Sequence, residues 1–514
     1  MRVPYGDKKE SFAPDGKQRE RRGRTGGRKS AEMKKVLAID MGATSIRGIL
    51  SWIEGERFHF KEVLRLKHRI VEKDGRKRWE WDRILSSIRD TIVQHQAEIS
   101  SVGIDSWGVD FGLLDEEGEL IEEPISYRDE RHIEGYREAL LRMDREELFQ
   151  KSGAEPMPIN TLFQLLSLRK IEPEQFKRAR RILMLPDLLL YFLSGEISGE
   201  RTIWSTSQLL DIENGEISAE IAERFSLPPS LFPELREAGT VLGSTKNSRI
   251  PELRTLDIPV ISVMGHDTAS AILITEAARR EDTLFLSCGT WSLMGARLEH
   301  SDRSREACRL GLTNELGYRD SKLLFQNITG LYLLEKYKSE REEEGAGKLS
   351  YERITEEAAK SFRKRPGKGV LVDLSDPRFG AGERGAKESI DSWLLERGEA
   401  LPEEEGAYFR LIYESLTEKY RSCREAVEKR SGRRYERLHM IGGGTCSPLL
   451  CELIAERLGL ELLAGPVEAS ALGNILLQLQ ALGEIESAEQ GALRILAESG
   501  MRHYRPGEKR SFQL

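Results

Sequence analysis

Short apolar runs and alternating stretches open the chain. From Val36 the pattern predicts strands at Val36 to Ile39, Ile46 to Trp52 and Phe58 to Leu66, separated by turns rich in Gly, Ser and Glu. An amphipathic helix follows from about Trp81 to Glu98, and Val102 to Asp105 reads as another strand. Gly103 to Gly112 then suggests a strand pair turning at Asp115 to Gly118. The apolar stretch Ile182 to Leu193, broken by Pro186 and Asp187, reads as a core helix, well short of the roughly 20 residues a membrane span needs. Mid-chain, Val260 to Met264 is apolar apart from Ser262, enough for a buried strand and too short for a helix. The polar turn Gly265-His266-Asp267-Thr268 follows at once, and Ala269 to Ile274 predicts a helix. Asp267 thus has two readings, as the N-cap of that helix or as a catalytic base at the end of a core strand.

The second half alternates strands and helices. Thr283 to Leu286 is a short strand, and Gln326-Asn327-Ile328-Thr329-Gly330 reads as the start of a helix through about Tyr337, with Asn327 as its cap or as a ligand contact. Leu438 to Ile441 is a strand, followed by Gly442-Gly443-Gly444-Thr445 and a helix start at Ser447-Pro448. Those glycines leave nearby amides open to a nucleotide. Ala464 to Asn474 begins a small-residue helix that would close this half.

The turn after the first strand, Asp40-Met41-Gly42-Ala43-Thr44-Ser45-Ile46-Arg47-Gly48, has what a phosphate turn needs: an acidic residue for hydrated Mg²⁺, a close-approach Gly, hydroxyls and an Arg. An ordinary hairpin is the competing reading. Ser287-Cys288-Gly289-Thr290-Trp291-Ser292-Leu293-Met294-Gly295 repeats the arrangement, with a Ser three residues and a Gly six residues after the opening Gly in both. Such self-similarity predicts two related domains facing each other. Their boundaries are read as 33–275 and 276–514, with a hinge near Thr275 to Asp282. Trp107, between Asp105 and Asp110, has the chemistry of a polyol pocket wall and equally that of a buried structural indole.

Composition narrows the classes. A net charge of −7 over 514 residues gives no overall field for gathering nucleic acid or an anionic membrane, and a small-molecule enzyme fits better. Residues 1 to about 32 are basic and poor in large apolar side chains, which predicts a disordered extension. Five cysteines without a C-x-x-C pair indicate neither a disulfide framework nor a zinc site, so a reduced, cytoplasmic protein is expected. Gly380-Ala381-Gly382-Glu383-Arg384-Gly385 satisfies G-x-G-x-x-G but follows no strand, and reads as a loop. The tail past about Gln490 ends in polar residues such as Lys509 and Arg510 and shows no partner.

Together, the Asp40 to Arg47 turn, Ile104-Asp105-Ser106-Trp107-Gly108-Val109-Asp110-Phe111, Gly265-His266-Asp267-Thr268-Ala269-Ser270, Gly289-Thr290-Trp291-Ser292-Leu293 and Gly465-Pro466-Val467-Glu468-Ala469-Ser470 resemble the FGGY carbohydrate kinases. Within them the likeness is greatest to the branch acting on L-rhamnulose, and it runs from about Val36 to about Leu482. The resemblance implies an α/β fold of two actin-like, ribonuclease-H-like ATPase domains facing across a cleft. It also implies ATP and Mg²⁺, and transfer of the γ-phosphate to the sugar's 1-hydroxyl. Carried over by position, Asp267 is the proton acceptor, and Gly108, His266, Thr268 and Asn327 are sugar contacts, beside the Trp107 ring read from its chemistry. Ala43, Thr44, Ser45, Ile46, Arg47, Thr290 and Gly443 are ATP contacts, and Asp40, from its chemistry in the turn, is read as holding the metal through water. Ile46 stands where relatives often have Gly, and Glu335 where a relative offers Gln near the nucleotide. A kinase for L-fuculose or D-xylulose, and an actin-like ATP-driven binding protein, are the competing functions.

Overall fold

The computed structural model describes residues 33–365, 367, 369–380 and 384–508. The basic extension over 1–32, the centre of the 380–385 loop, and Lys509 and Arg510 lie outside the described residues.

Two sheets dominate. The first is built from β1 (Lys35–Met41), β2 (Ser45–Glu54), β3 (Arg57–Lys67), β4 (Ile99–Ser106), β5 (Thr240–Ser244) and β6 (Pro259–Ser262), in the order β5-β6-β4-β1-β2-β3. The second holds β7 (Thr283–Cys288), β8 (Ser292–Leu298), β9 (Leu312–Leu316), β10 (Lys322–Ile328), β11 (Arg437–Ile441), β12 (Glu461–Ala464) and β13 (Arg502–Tyr504), in the order β9-β10-β8-β7-β11-β12-β13. The duplication seen in the turns extends to the topology. β1 pairs antiparallel with β2 and parallel with β4, and β7 pairs antiparallel with β8 and parallel with β11. The strands beside each hairpin are buried on both faces, which is why they read as apolar runs rather than as alternation.

Helix α1 (Trp81–Gln94) covers the first sheet through Trp81, Ile84, Ile88 and Ile92. Helices α2 (Asp267–Ile274), α3 (Pro448–Leu458) and α4 (Ala469–Ala481) follow β6, β11 and β12 respectively. Ser447 caps α3 and Pro448 takes its first position, as expected. Among the described residues no helix is long and apolar enough to cross a membrane.

Three sequence expectations change. The run Ile182 to Leu193 is not one helix: Arg181–Met184 is a strand, and the helix Leu185–Ser194 begins where Pro186 fits its first turn. That strand pairs with Phe111–Leu114, and the turn expected at Asp115 to Gly118 is present, with Leu114 bridging Leu120 and Ile121 N donating to Leu113 O at 2.9 Å. Asn327 lies within β10, opposite Leu293 of β8, and caps nothing, because the ladder claims its backbone; the following helix begins at Tyr332. Finally, α4 does not simply close the second half. Its apolar face joins Val36, Ala38, Val263 and Ala271 of the first half in one buried cluster. Its polar residues satisfy the first sheet: Asn474 Nδ2 donates to Gly103 O at 3.2 Å, and Gln478 Nε2 to Leu37 O at 3.0 Å.

Candidate functional site

The two hairpin turns, the start of α2 and the outer strands of the second sheet converge on a cavity of about 290 Å³. Ala43 and Thr44 line it from the first turn, Thr290 and Trp291 from the second. Each turn closes through one backbone bond, Gly42 N to Ser45 O at 3.1 Å and Gly289 N to Trp291 O at 2.9 Å. The second is also tied to the chain after β10, since Leu331 N donates to Gly289 O at 2.9 Å.

Asp267 occupies the first position of α2, with His266 before it as the backbone cap. Its carboxylate is therefore not an N-cap, although Oδ1 accepts from the neighbouring Thr268 N at 2.6 Å. Its side chain is 25% exposed and opens into the cavity beside His266 and Thr268. Burial pushes its pKa up to about 6, against the opposing pull of a charged His266. The turn is held from behind by Glu200, whose Oε2 accepts from Gly265 N at 2.8 Å, Thr202 N at 2.9 Å and Thr202 Oγ1 at 2.6 Å. A carboxylate that buried and that well bonded serves to fix backbone.

Trp107 and Gly108 form the opposite wall. The Trp107 indole N–H donates to Asp110 Oδ2 at 2.9 Å, and Trp79 reaches the same oxygen at 2.6 Å. With its N–H so occupied, Trp107 offers the cavity an apolar ring, stacked on His68 with centroids 5.3 Å apart. His68 in turn bonds Gly42 O through Nε2 at 2.8 Å, which links this wall to the first phosphate turn. Burial lifts the Asp110 carboxyl to about 7, with the two indole N–H groups opposing it. Gly108 has no room for a side chain, because a Cβ would sit 2.8 Å from Thr206.

Asp40 and Asp105 lie side by side in the β1–β4 register, buried at the floor of the first turn. Burial raises both carboxyls; Arg47 opposes this for Asp40, while Asp40 and Asp267 push Asp105 further. Asp105 Oδ2 accepts from Asn474 at 2.7 Å, and the Asp105 carboxyl also shares a hydrogen bond with that of Asp40. Two adjacent carboxyls that repel each other when ionised have the donor chemistry of a hard divalent cation such as Mg²⁺.

The remaining residues singled out from the sequence are placed differently. Asn327 lines the cavity from β10. Ser45 and Arg47 share one face of β2, and Arg47 pairs with Glu468 just before α4. Ile46 faces the other way, fully buried in the first core, so only its backbone is available to a nucleotide. Gly442 lines the cavity with φ +84°, while Gly443 is exposed beside it. Glu335 hydrogen-bonds the Tyr351 hydroxyl, away from the cavity lining. The sequence reading did not assign Tyr127, Glu155, Asn160 and Thr206 of the first half, or Thr313 and Glu315 of β9, all of which line the cavity. Their signal was faint: Tyr127 and Asn160 sit in polar stretches without a motif, and Thr313 and Glu315 are polar side chains in an otherwise apolar strand.

Comparison with known proteins bears on this arrangement. Residues 35–274 match the FGGY family of carbohydrate kinases, N-terminal domain, and residues 284–482 match its C-terminal domain. A rhamnulokinase of Bacteroides thetaiotaomicron is 36% identical over 456 residues, covering 87% of this chain and 91% of that protein. A rhamnulokinase of Halalkalibacterium halodurans is 32% identical, covering 92% and 99%. Among solved structures, a xylulose kinase from Lactobacillus acidophilus superposes with a TM-score of 0.76 at 16% identity, covering 92% of this chain and 94% of its own. Plasmodium falciparum glycerol kinase with ADP gives 0.72 at 15% identity, covering 93% and 95%. These two share the fold.

Proposed function

The chain belongs to the FGGY family of carbohydrate kinases and is an ATP-dependent sugar kinase, and from that premise we propose that its sugar is L-rhamnulose, phosphorylated at the 1-hydroxyl to give L-rhamnulose 1-phosphate and ADP. The observation that carries this reading is the position of Asp267, a half-buried carboxylate facing one cavity into which both hairpin turns and the Trp107 ring open. The identity of about a third with two rhamnulokinases over most of the chain supports the choice of sugar. The lining of the cavity, which among the described residues contains Asp267, Glu155 and Glu315 but no Lys or Arg, suits a neutral sugar. Such a wall accepts hydrogen bonds from hydroxyls and repels a sugar acid. We read the domains as 33–275 and 276–514, and the enzyme as cytoplasmic.

In this mechanism Asp267 takes the proton of the 1-hydroxyl as its oxygen attacks the γ-phosphorus. Trp107 packs on the C–H face of the sugar, and His266, Thr268, Gly108 and Asn327 orient it. Thr44, Ser45, Thr290 and the backbone of the two turns receive the phosphates, and Arg47 neutralises charge once it leaves Glu468. Gly443 borders the nucleotide through its open backbone. Asp40 and Asp105 would hold Mg²⁺, which when bound neutralises the phosphate oxygens. Positioning and charge neutralisation supply most of the catalysis in such a reaction.

A coupled assay of ADP release with Mg-ATP and L-rhamnulose, L-fuculose, D-xylulose or glycerol tests the choice. L-rhamnulose is expected to give the highest kcat/KM; a higher value with another sugar removes the assignment and leaves the kinase. The acid limb of the profile follows from Asp267. Its base form is the active one, so kcat/KM for the sugar should fall as pH drops through about 6, approaching tenfold per unit below it. An acid limb centred near 4 would mean that the base is a more exposed carboxylate.

A further inference from the structure

β9 is the outer strand of the second sheet, and its free edge is occupied by the first half of the chain. Asn314 N donates to Gly153 O at 2.9 Å, and Ser205 Oγ accepts from Leu316 N at 3.1 Å. The alternate side chains, Thr313 and Glu315, therefore turn into the cavity. Thr313 Oγ1 accepts from Glu155 N at 3.0 Å and has an evident task. Glu315 is 7% exposed, and its ion-pair partner among the described residues is His266, with Oε2 2.9 Å from Nδ1. The two meet as an ion pair by distance, outside hydrogen-bond geometry, and neither atom has a hydrogen-bond partner. A buried carboxylate facing one imidazole is costly unless the two act together.

We propose that Glu315 is a positioning residue of the sugar site: reaching over from the second sheet, it seats the His266 imidazole through Nδ1, so that Nε2 faces Asp267 and the sugar. This rests on the kinase reading. The far nitrogen lies 3.5 Å from Asp267 Oδ1, and the backbone of His266 is fixed by its bridge to Ser106 and its bond to Thr202 Oγ1 at 3.3 Å. Only the ring is left to be oriented, and Glu315 supplies the second point. The Glu315 charge beside Nδ1 favours a proton there and leaves Nε2 as the nitrogen that meets substrate. Burial works against a charged His266, but Glu315, with Asp267 and Glu200 behind it, outweighs that and raises its pKa. The Nε2–H then donates to a sugar oxygen next to the reacting hydroxyl, and ATP is not involved.

The test uses Glu315→Ala and Glu315→Gln in the full chain, with the sugar the wild type turns over best. Glu315→Ala should raise the sugar KM on the order of 10- to 100-fold, the cost of leaving a buried charge unpaired, and leave the ATP KM within about twofold. Glu315→Gln keeps an acceptor oxygen for Nδ1 and should recover part of the loss. A wild-type sugar KM in both variants, or equal rises for sugar and ATP, overturns the proposal, the latter because it reports general loosening of the β9 edge. The ¹⁵N ring signals of His266, assigned by their absence in His266→Gln, give a readout that needs no activity. They should move in Glu315→Gln, and unchanged signals overturn the proposal. A wild type that turns over none of these sugars would remove the sugar assignment alone, since the ring signals still decide the pairing.

Discussion

Asp267→Asn folds, binds ATP and loses phosphoryl transfer by a factor on the order of 10² to 10⁴, the usual worth of a general base. The amide is nearly the same shape, and its oxygen still accepts from Thr268 N, so the start of α2 is undisturbed. Stability should not suffer either. The folded pKa of about 6 stands above the ordinary 3.8, so the native state binds the proton more tightly than the unfolded chain does. The charged carboxylate therefore opposes folding by an amount that grows as pH rises from about 4 to 6 and stays in place at neutral pH. A neutral Asn removes that cost, and the melting temperature at pH 7 should be equal or higher. Measured turnover near wild type would remove Asp267 from its role, whereas a lower melting temperature would make any lost activity uninterpretable.

Gly473→Ala should damage both stability and activity, although it touches neither substrate. Gly473 lies where α4 crosses α2, and a Cβ there would meet the Ser270 carbonyl oxygen at 2.1 Å. That atom belongs to the helix whose first residue is Asp267, so it yields only by moving the helix. The overpacking costs about 1–3 kcal/mol. A shift of about an ångström at Asp267 costs on the order of 10²-fold in turnover. Urea unfolding with turnover on the same sample checks the coupling; a variant with normal activity would show that α4 moves aside without dragging α2.

The hairpins were legible because their chemistry is local. A Gly, a Ser and a second Gly at fixed offsets between apolar runs leave little choice of structure, and the repeat of that spacing announced the second sheet. Asp267 was legible for the same reason, as a carboxylate directly after a core strand. Asn327 was assigned to the wrong element because Gln326 to Gly330 reads as a helix start by local signals, while its conformation is set by β8, with which it pairs. The run from Ile182 to Leu193 failed differently: a short apolar stretch has no period to distinguish strand from helix. Tyr127, Glu155, Thr313 and Glu315 come to one cavity only through the chain's topology, so no spacing in the sequence could unite them.

The way α4 joins the first sheet also constrains the order of events when the chain is made. The last strand of that sheet, β6, ends at Ser262, yet Asp105, Gly103 and Leu37 obtain their hydrogen bonds from Asn474 and Gln478, and Ala38 and Val263 their apolar cover from α4. On the ribosome the first half emerges with one face of its sheet still wet and its buried carboxylate unsatisfied. It must hold that unfinished state while the entire second sheet up to β12 is synthesised. Folding to completion is thus a single late event, and a nascent chain released before Ala481 should fall to proteolysis rather than persist as half an enzyme.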